Sequence, residues 1–250
     1  MRTPLWSSLL LPLALALPLH AQDLATTCHA SSSYDVTIRA DSVLFDRPSP
    51  APLRVEMNHG ALRVDGANVP LNAEDQDRLS LFERDLRALV PKVKTVADHG
   101  VDIAVQGLRD ESASLGLDAG ARAQMDQKLA AESASLKQRI AASNSTHDWQ
   151  GSMADQVIDQ VAGDLLPLVG GALTQQAIDA ATSGDLQAAG ALRDRAADLA
   201  TQLEPRMRQR MQQLRPQIQA LCPAVRRLVA LQQGVRDNRG RPLDLLDIDQ

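Results

Sequence analysis

Hydrophobic residues in this chain recur at every second position over residues 34–71 and at every third or fourth position from Leu79 onward. A side-chain period of two belongs to strands and one of 3.6 to helices, so the change at Leu71-Asn72 divides the chain into two kinds of structure. In the first stretch the alternating residues are Val36 and Ile38, Val43 and Phe45, Leu53, Val55 and Met57, Leu62 and Val64, then Val69 and Leu71. Asn58-His59-Gly60 and Asp65-Gly66-Ala67-Asn68 lie between short runs and carry the residue types that tight hairpins require. Pro48, Pro50 and Pro52 stiffen one connection and cannot donate ladder hydrogen bonds. A small antiparallel meander with one apolar face is predicted, and a sheet of this size needs helices against it.

The helical stretch opens at Asn72, a favourable N-cap, with Glu74, Asp75 and Asp77 where the helix dipole favours negative charge. Leu79, Phe82, Leu86, Leu89 and Val90 share one stripe, and Pro91 is expected to kink or restart this helix. An Ala-rich helix follows over 120–143, ending at Asn144-Ser145-Thr146-His147, of which Asn144-Ser145-Thr146 is formally a glycosylation acceptor triplet. Residues 152–181 are strongly apolar, with Pro167 and Gly170-Gly171 in the middle, and read as a kinked buried or interface helix. Leu192, Ala196, Leu199, Leu203, Met207, Met211, Leu214, Ile218, Leu221, Val225 and Leu228 step by three or four, as in a heptad seam. Pro205, Pro216 and Pro223 break that seam into consecutive helical pieces.

The first 21 residues set the compartment. Arg2, an apolar run from Leu9 to Leu19, and Ala21 after His20 have the layout of a cleavable secretory signal, with cleavage near Ala21. The run is too short for a bilayer-spanning helix, which takes about 20 residues. Cys28 follows Ala25-Thr26-Thr27, a poor lipoprotein site. An exported chain meets an oxidising space, so Cys28 and Cys222 are expected to pair, stapling the β segment to the last long helix. Two independent buried thiols are the alternative, and no Cys-x-x-Cys spacing points to redox chemistry.

Charge is uneven. Residues 22–185 carry 14 basic and 24 acidic side chains, whereas residues 186–241 carry 11 basic and 4 acidic ones. Arg206, Arg208, Arg210, Arg215, Arg226 and Arg227 could form a surface for an anionic envelope component, because guanidinium groups bind phosphates bidentately. The competing reading is that this segment packs beside the acidic helices and neutralises them. Nucleic acid is a poor partner for a chain whose aromatics beyond the leader are Tyr34, Phe45, Phe82 and Trp149.

Chemistry is not marked out by any motif. His29, His59, His99 and His147 fall in different elements, without metal-ligand spacing. No Gly-x-Ser-x-Gly or phosphate loop occurs. Glu74 with Asp75, and Asp110 with Glu111, read as solvated helix ends, and Asp244, Asp247 and Asp249 lack a calcium-loop pattern. No catalytic residue, cofactor or metal is expected.

Val69-Pro70-Leu71-Asn72, Glu74-Asp75-Gln76, Val90-Pro91, Gly100-Val101-Asp102-Ile103-Ala104, Leu221-Cys222 and Asp244-Leu245-Leu246, with a leader and an early cysteine, form a combined pattern. It resembles the YggN-like proteins, a bacterial periplasmic or secreted family of unknown function, over nearly all of the mature chain. Three prolines in the C-terminal helical region depart from a continuous helical hairpin. The resemblance implies a compartment and a domain identity, and no catalytic residues.

The reading is therefore an exported α+β protein. Residues 1–21 form the signal peptide and 22–250 a single domain, with a β meander over 34–71, a helical body of long amphipathic helices over 73–232 and a tail over 233–250. Its expected role is non-enzymatic binding of an envelope protein or an anionic envelope component. Membrane-surface contact, without a transmembrane helix, is a further reading. A carrier for an apolar small molecule using residues 165–173, or a hydrolase with an unrecognised site, are the alternatives. Oligomeric state stays open.

Overall fold

A computed structural model describes residues 26–114, 117–149, 163 and 169–248. The proposed leader and much of the apolar 152–181 stretch lie outside the described residues, as does Asp249. Strand β1 (Ala30–Ser31) is followed by β2 (Asp35–Ile38), β3 (Val43–Asp46), β4 (Arg54–Asn58), β5 (Ala61–Val64) and β6 (Ala67–Val69). Strands β2 to β6 pair in sequence order as a five-stranded antiparallel meander. Register follows the alternation: Val43 faces Met57, Phe45 faces Val55, Met57 faces Leu62 and Val55 faces Val64. These side chains form the buried face, while Asp46, Arg54, Glu56 and Arg63 pair on the other.

The two hairpin turns are the ones expected. His59-Gly60 has φ of 50° and 83°, and Asp65-Gly66 has 49° and 83°, the doubly left-handed geometry that suits the twist of the flanking strands. Gly60 also lies against the next helix, since a Cβ there would stand 2.5 Å from Ser80 Oγ and 2.6 Å from the Gln76 carbonyl oxygen.

That helix, α1 (Ala73–Ser114), is 42 residues and so about 63 Å long. Asn72 caps it, its Oδ1 accepting from Asp75 N–H at 2.8 Å. Pro91 neither ends nor restarts it. The missing N–H is tolerated because the same stripe is anchored on both sides of Pro91, by Leu79, Phe82, Leu86 and Leu89 before it and Val101 after it. Phe82 reaches Phe45 of the sheet with ring centroids 6.0 Å apart.

Helix α2 (Ala119–Ala142) begins one residue before the expected Gly120, with Asp118 accepting from Ala121 N–H. A 3-10 turn (Thr146–Trp149) follows. Helix α3 spans 169–182 and helix α4 Leu186–Met211, joined by a short turn in which Gly184 has φ 77°. The seam then breaks at two of its three prolines. A 3-10 turn leads into α5 (Arg215–Gln219) and α6 (Cys222–Gln232), with Pro216 and Pro223 in their first turns, while Pro205 stays inside α4.

The segment after α6, read from sequence as a tail, is partly core. Leu243 and Leu245 are fully buried with Phe45, Phe82, Met57 and Leu228. Strand β7 (Asp247–Ile248) pairs antiparallel with β1, Ala30 opposite Ile248. A second apolar cluster lies farther along α1, where Leu117, Met125 and Leu129 meet Val105, Leu108, Val169 and Leu173.

Candidate functional site

The basic segment and the acidic residues of α1 face one another. Arg206, near the end of α4, donates through Nη1 to Glu111 and through Nη2 to Asp198, both at 2.7 Å. One turn on, Arg210 Nη1 reaches Asp110 at 2.7 Å, and Asp110 also accepts from Gln106. The Gln106 hydrogen bond, then that from Arg210, hold the Asp110 carboxyl below the usual carboxylate range. Hydrogen bonds to Glu111 and Asp198 raise Arg206 still further above neutrality.

Close approach of the two helices depends on Gly107 of α1. A Cβ there would lie 2.9 Å from Met207 Cε and 3.0 Å from Arg210 Cδ. Beside this crossing opens a cavity of about 600 Å³ lined by Glu111, Arg206, Gln209, Arg210, Gln212 and Gln213. Its walls are amides and charge-balanced ion pairs, suited to hydrogen bonding with a polar group.

The six arginines are spread over three helices, with Arg206, Arg208 and Arg210 on α4, Arg215 on α5, and Arg226 and Arg227 on α6. Arg206 and Arg210 line the cavity, while Arg227 on α6 pairs with Asp85 of α1 at 2.7 Å. Arg208, Arg215 and Arg226 are exposed. Three of the six thus pair with acids of α1, the arrangement in which the basic helices offset the acidic one.

Cys28 and Cys222 form a disulfide with sulfurs 2.00 Å and Cα atoms 5.2 Å apart. No free cysteine is present among the described residues. The histidines are dispersed: His99 Nδ1 contacts Gln217 Oε1 at 2.7 Å and His147 Nδ1 lies 3.5 Å from Asp35, while His29 and His59 occupy left-handed turn positions. Among the described residues no group of three or more His, Cys, Asp or Glu side chains is placed to hold a metal.

Three buried polar groups were not singled out in the sequence; Gln232 and Glu83 bond backbone brought in by the fold, and Asp237 bonds its own turn. Gln232 Oε1 accepts from Leu245 and Leu246 N–H at 3.0 and 3.1 Å, and its Nε2 donates back to the Leu246 carbonyl. Glu83 accepts from the His59 N–H and from Arg87, tying the β4–β5 turn to α1. Asp237 accepts from Arg239 N–H, Arg241 N–H and Arg241 Nε, each at 2.8 Å. Burial pushes the Asp237 carboxyl up, but these donors outweigh it and hold it low.

A family model described as a protein of unknown function, DUF2884, matches residues 28–245. The chain belongs to that family. No curated protein and no solved structure matches it. The DUF2884 stretch opens on Cys28 of the disulfide and closes on buried Leu245, so it contains the meander, both cysteines and the helices around the cavity. No helix among the described residues is long and apolar enough to cross a membrane.

Proposed function

We propose that this protein is exported to the periplasm or secreted, is of the YggN-like kind, and acts without catalysis as a binding or interaction protein of the cell envelope. The disulfide supports export, because such bonds persist in oxidising compartments. The leader-like layout of Arg2, the apolar run and Ala21 supports the same reading.

The observation that carries the binding role is the turn between α3 and α4. Leu186, the first residue of α4, is 77 % exposed, and Ile178 in the last turns of α3 is 50 % exposed. Large apolar side chains left in water at a helix junction favour a protein partner there. Engagement of Arg206, Arg210 and Arg227 with α1 leaves less free guanidinium for an anionic polymer, so the protein partner is preferred.

The test is to place a photo-crosslinking residue at Leu186 and, separately, at exposed Arg226 on α6, and to irradiate intact cells. A discrete adduct from position 186 that is missing from 226 is expected. Identical patterns from the two positions would remove the reading. N-terminal sequencing of the envelope-fraction protein is expected to begin at Gln22, and a chain retaining residues 1–21 in the cytoplasm would refute export.

A further inference from the structure

The meander has an edge strand, β2, whose outward hydrogen-bonding row is taken up by a piece of chain that is not a strand. Thr37 and Asp35 face the β3 ladder, which leaves the Val36 and Ile38 amides pointing away from the sheet. Ile38 N–H donates to the Asn144 carbonyl at 2.8 Å, and Val36 N–H donates to Thr146 Oγ1 at 2.9 Å. Between them Thr37 opposes Ser145 in an isolated antiparallel bridge, with Oγ1 to Oγ at 3.1 Å. Thr146 Oγ1 lies 3.3 Å from Asp35 Oδ1, and His147 stands beyond it, 3.5 Å from the same carboxylate.

This cover is held from behind. Ser143 N–H donates to Arg139 at the end of α2, and the Asp148 carboxylate accepts from Ser143 Oγ at 3.1 Å and Ser145 N–H at 3.3 Å. Trp149 Nε1 donates to Ser143 Oγ at 2.8 Å. Much of the hold on β2 therefore runs through short hydroxyl side chains, in place of a full strand ladder.

An uncovered edge with paired, outward N–H and C=O groups is a template for another strand. Which strand it fits follows from the register. Residues whose amides point outward must oppose one another to form the closely hydrogen-bonded pairs, and of the antiparallel alignments that satisfy this, the one with its two-fold axis through Thr37 sets opposite charges across the seam. Val36 then faces Ile38 of the other copy, Thr37 faces Thr37, and Asp35 faces the exposed Arg39. These are β-branched, threonine–threonine and opposite-charge cross-strand pairs, each of a favourable kind, with no like charges opposed.

We infer that residues 144–146 are a clasp over a latent pairing surface, and that the partner this surface fits is β2 of a second copy of the chain. With the clasp closed, Asp35 is engaged by Thr146 and His147. With it open, Asp35 is released to meet Arg39 across the axis, and two meanders join edge to edge.

The experiment compares the full protein with Ser145→Pro/Thr146→Ala and with Thr146→Val, which removes only the hydroxyl at constant shape. Mass is followed by sedimentation over a wide concentration range, and amide exchange is read at Val36 and Ile38. The double variant is expected to rise to about twofold the wild-type mass as concentration increases, with both amides exchanging fast when dilute and slowly when concentrated. Thr146→Val is expected to shift the same way by less. Adding Thr37→Lys, which sets two cations face to face on the axis, is expected to return the mass to that of wild type. If both clasp variants keep the wild-type mass at every concentration, or if Thr37→Lys leaves a clasp-broken dimer intact, the inference is overturned.

Discussion

At the scale of single residues, the two hairpin glycines look alike in sequence and differ in their surroundings. Both have φ of 83°, but a methyl group at Gly66 meets nothing within 4 Å, whereas one at Gly60 runs into the α1 backbone. Gly66→Ala is expected to cost about 1 kcal/mol through the left-handed strain alone. Gly60→Ala is expected to cost about 3 kcal/mol or more, because the hairpin must also lift off the helix. Urea titration of both variants measures the difference. Asp237 supports a pH prediction. Its folded carboxyl is held below the usual value, so it stabilises the fold above the unfolded pKa of about 4 and loses that contribution as pH falls through the folded one. Asp237→Asn is expected to be less stable at neutral pH and to show a flatter acid limb from about pH 4 downward, read as the urea midpoint against pH. Gln232 belongs with these residues. Gln232→Leu would strand the N–H groups of Leu245 and Leu246 in the core and is expected to cost about 2–3 kcal/mol in the same titration.

Among elements, the contact of α4 with α1 rests on Gly107 and on the pairs Arg206–Glu111 and Arg210–Asp110. Arg206→Ala removes the partner of a buried carboxylate, and amides over 203–211 are expected to exchange at least tenfold faster while those of residues 79–89 keep their protection. Equal acceleration of both stretches would show that α4 and the sheet-facing half of α1 open as one unit. Much of this layer was legible beforehand. Alternation placed the five strands of the meander in order, the turn residues located both hairpins, Asn72 marked the start of α1, and Pro216 and Pro223 marked where the C-terminal seam restarts. Pro91, expected to kink or restart the helix, does not restart it, because a proline reports only the loss of one hydrogen bond, while the packing of Leu79 to Leu89 and Val101 on either side comes from distant chain. The arginines left two readings open, a surface or partners for the acidic helices. Helical phase sends Arg206, Arg210 and Arg227 toward acids of α1, while Arg208, Arg215 and Arg226 are exposed. The Gln232 and Glu83 interactions with Leu245, Leu246 and His59 had no sequence signal, since a side chain bonded to a remote backbone looks like any other polar residue.

For the molecule as a whole, the cysteines were the strongest long-range information in the sequence, and the pairing expected from them is present. The bond closes a loop of 194 residues, for which the chain-entropy model gives an upper figure of about 5 kcal/mol. Cys28→Ser/Cys222→Ser is expected to lower unfolding free energy by about 2–5 kcal/mol, with wild type in reductant behaving alike. Equal urea midpoints for oxidised and reduced protein would show that the β1–β7 pair and the Gln232 contacts suffice. The end segments missed by the alternation are the ones this bond organises, since β1, β7, Leu243 and Leu245 are too short or too acidic in context to announce themselves as core. Closure also has a mechanical meaning. Ala30, two residues after Cys28, faces Ile248, so the disulfide and the outgoing chain stand at the same end of the β1–β7 pair, in the geometry of a zipper. Tension applied to the chain ends would part those two strands pair by pair, then draw out residues 222–248. It would load the segment between the cysteines only through the side chains that α6, Leu243 and Leu245 bury against it, because the sulfur bridge carries the covalent force past it. Pulled between two anchors, the chain could not be drawn straight through residues 28–222, which would stay a closed loop hung beside the line of stress.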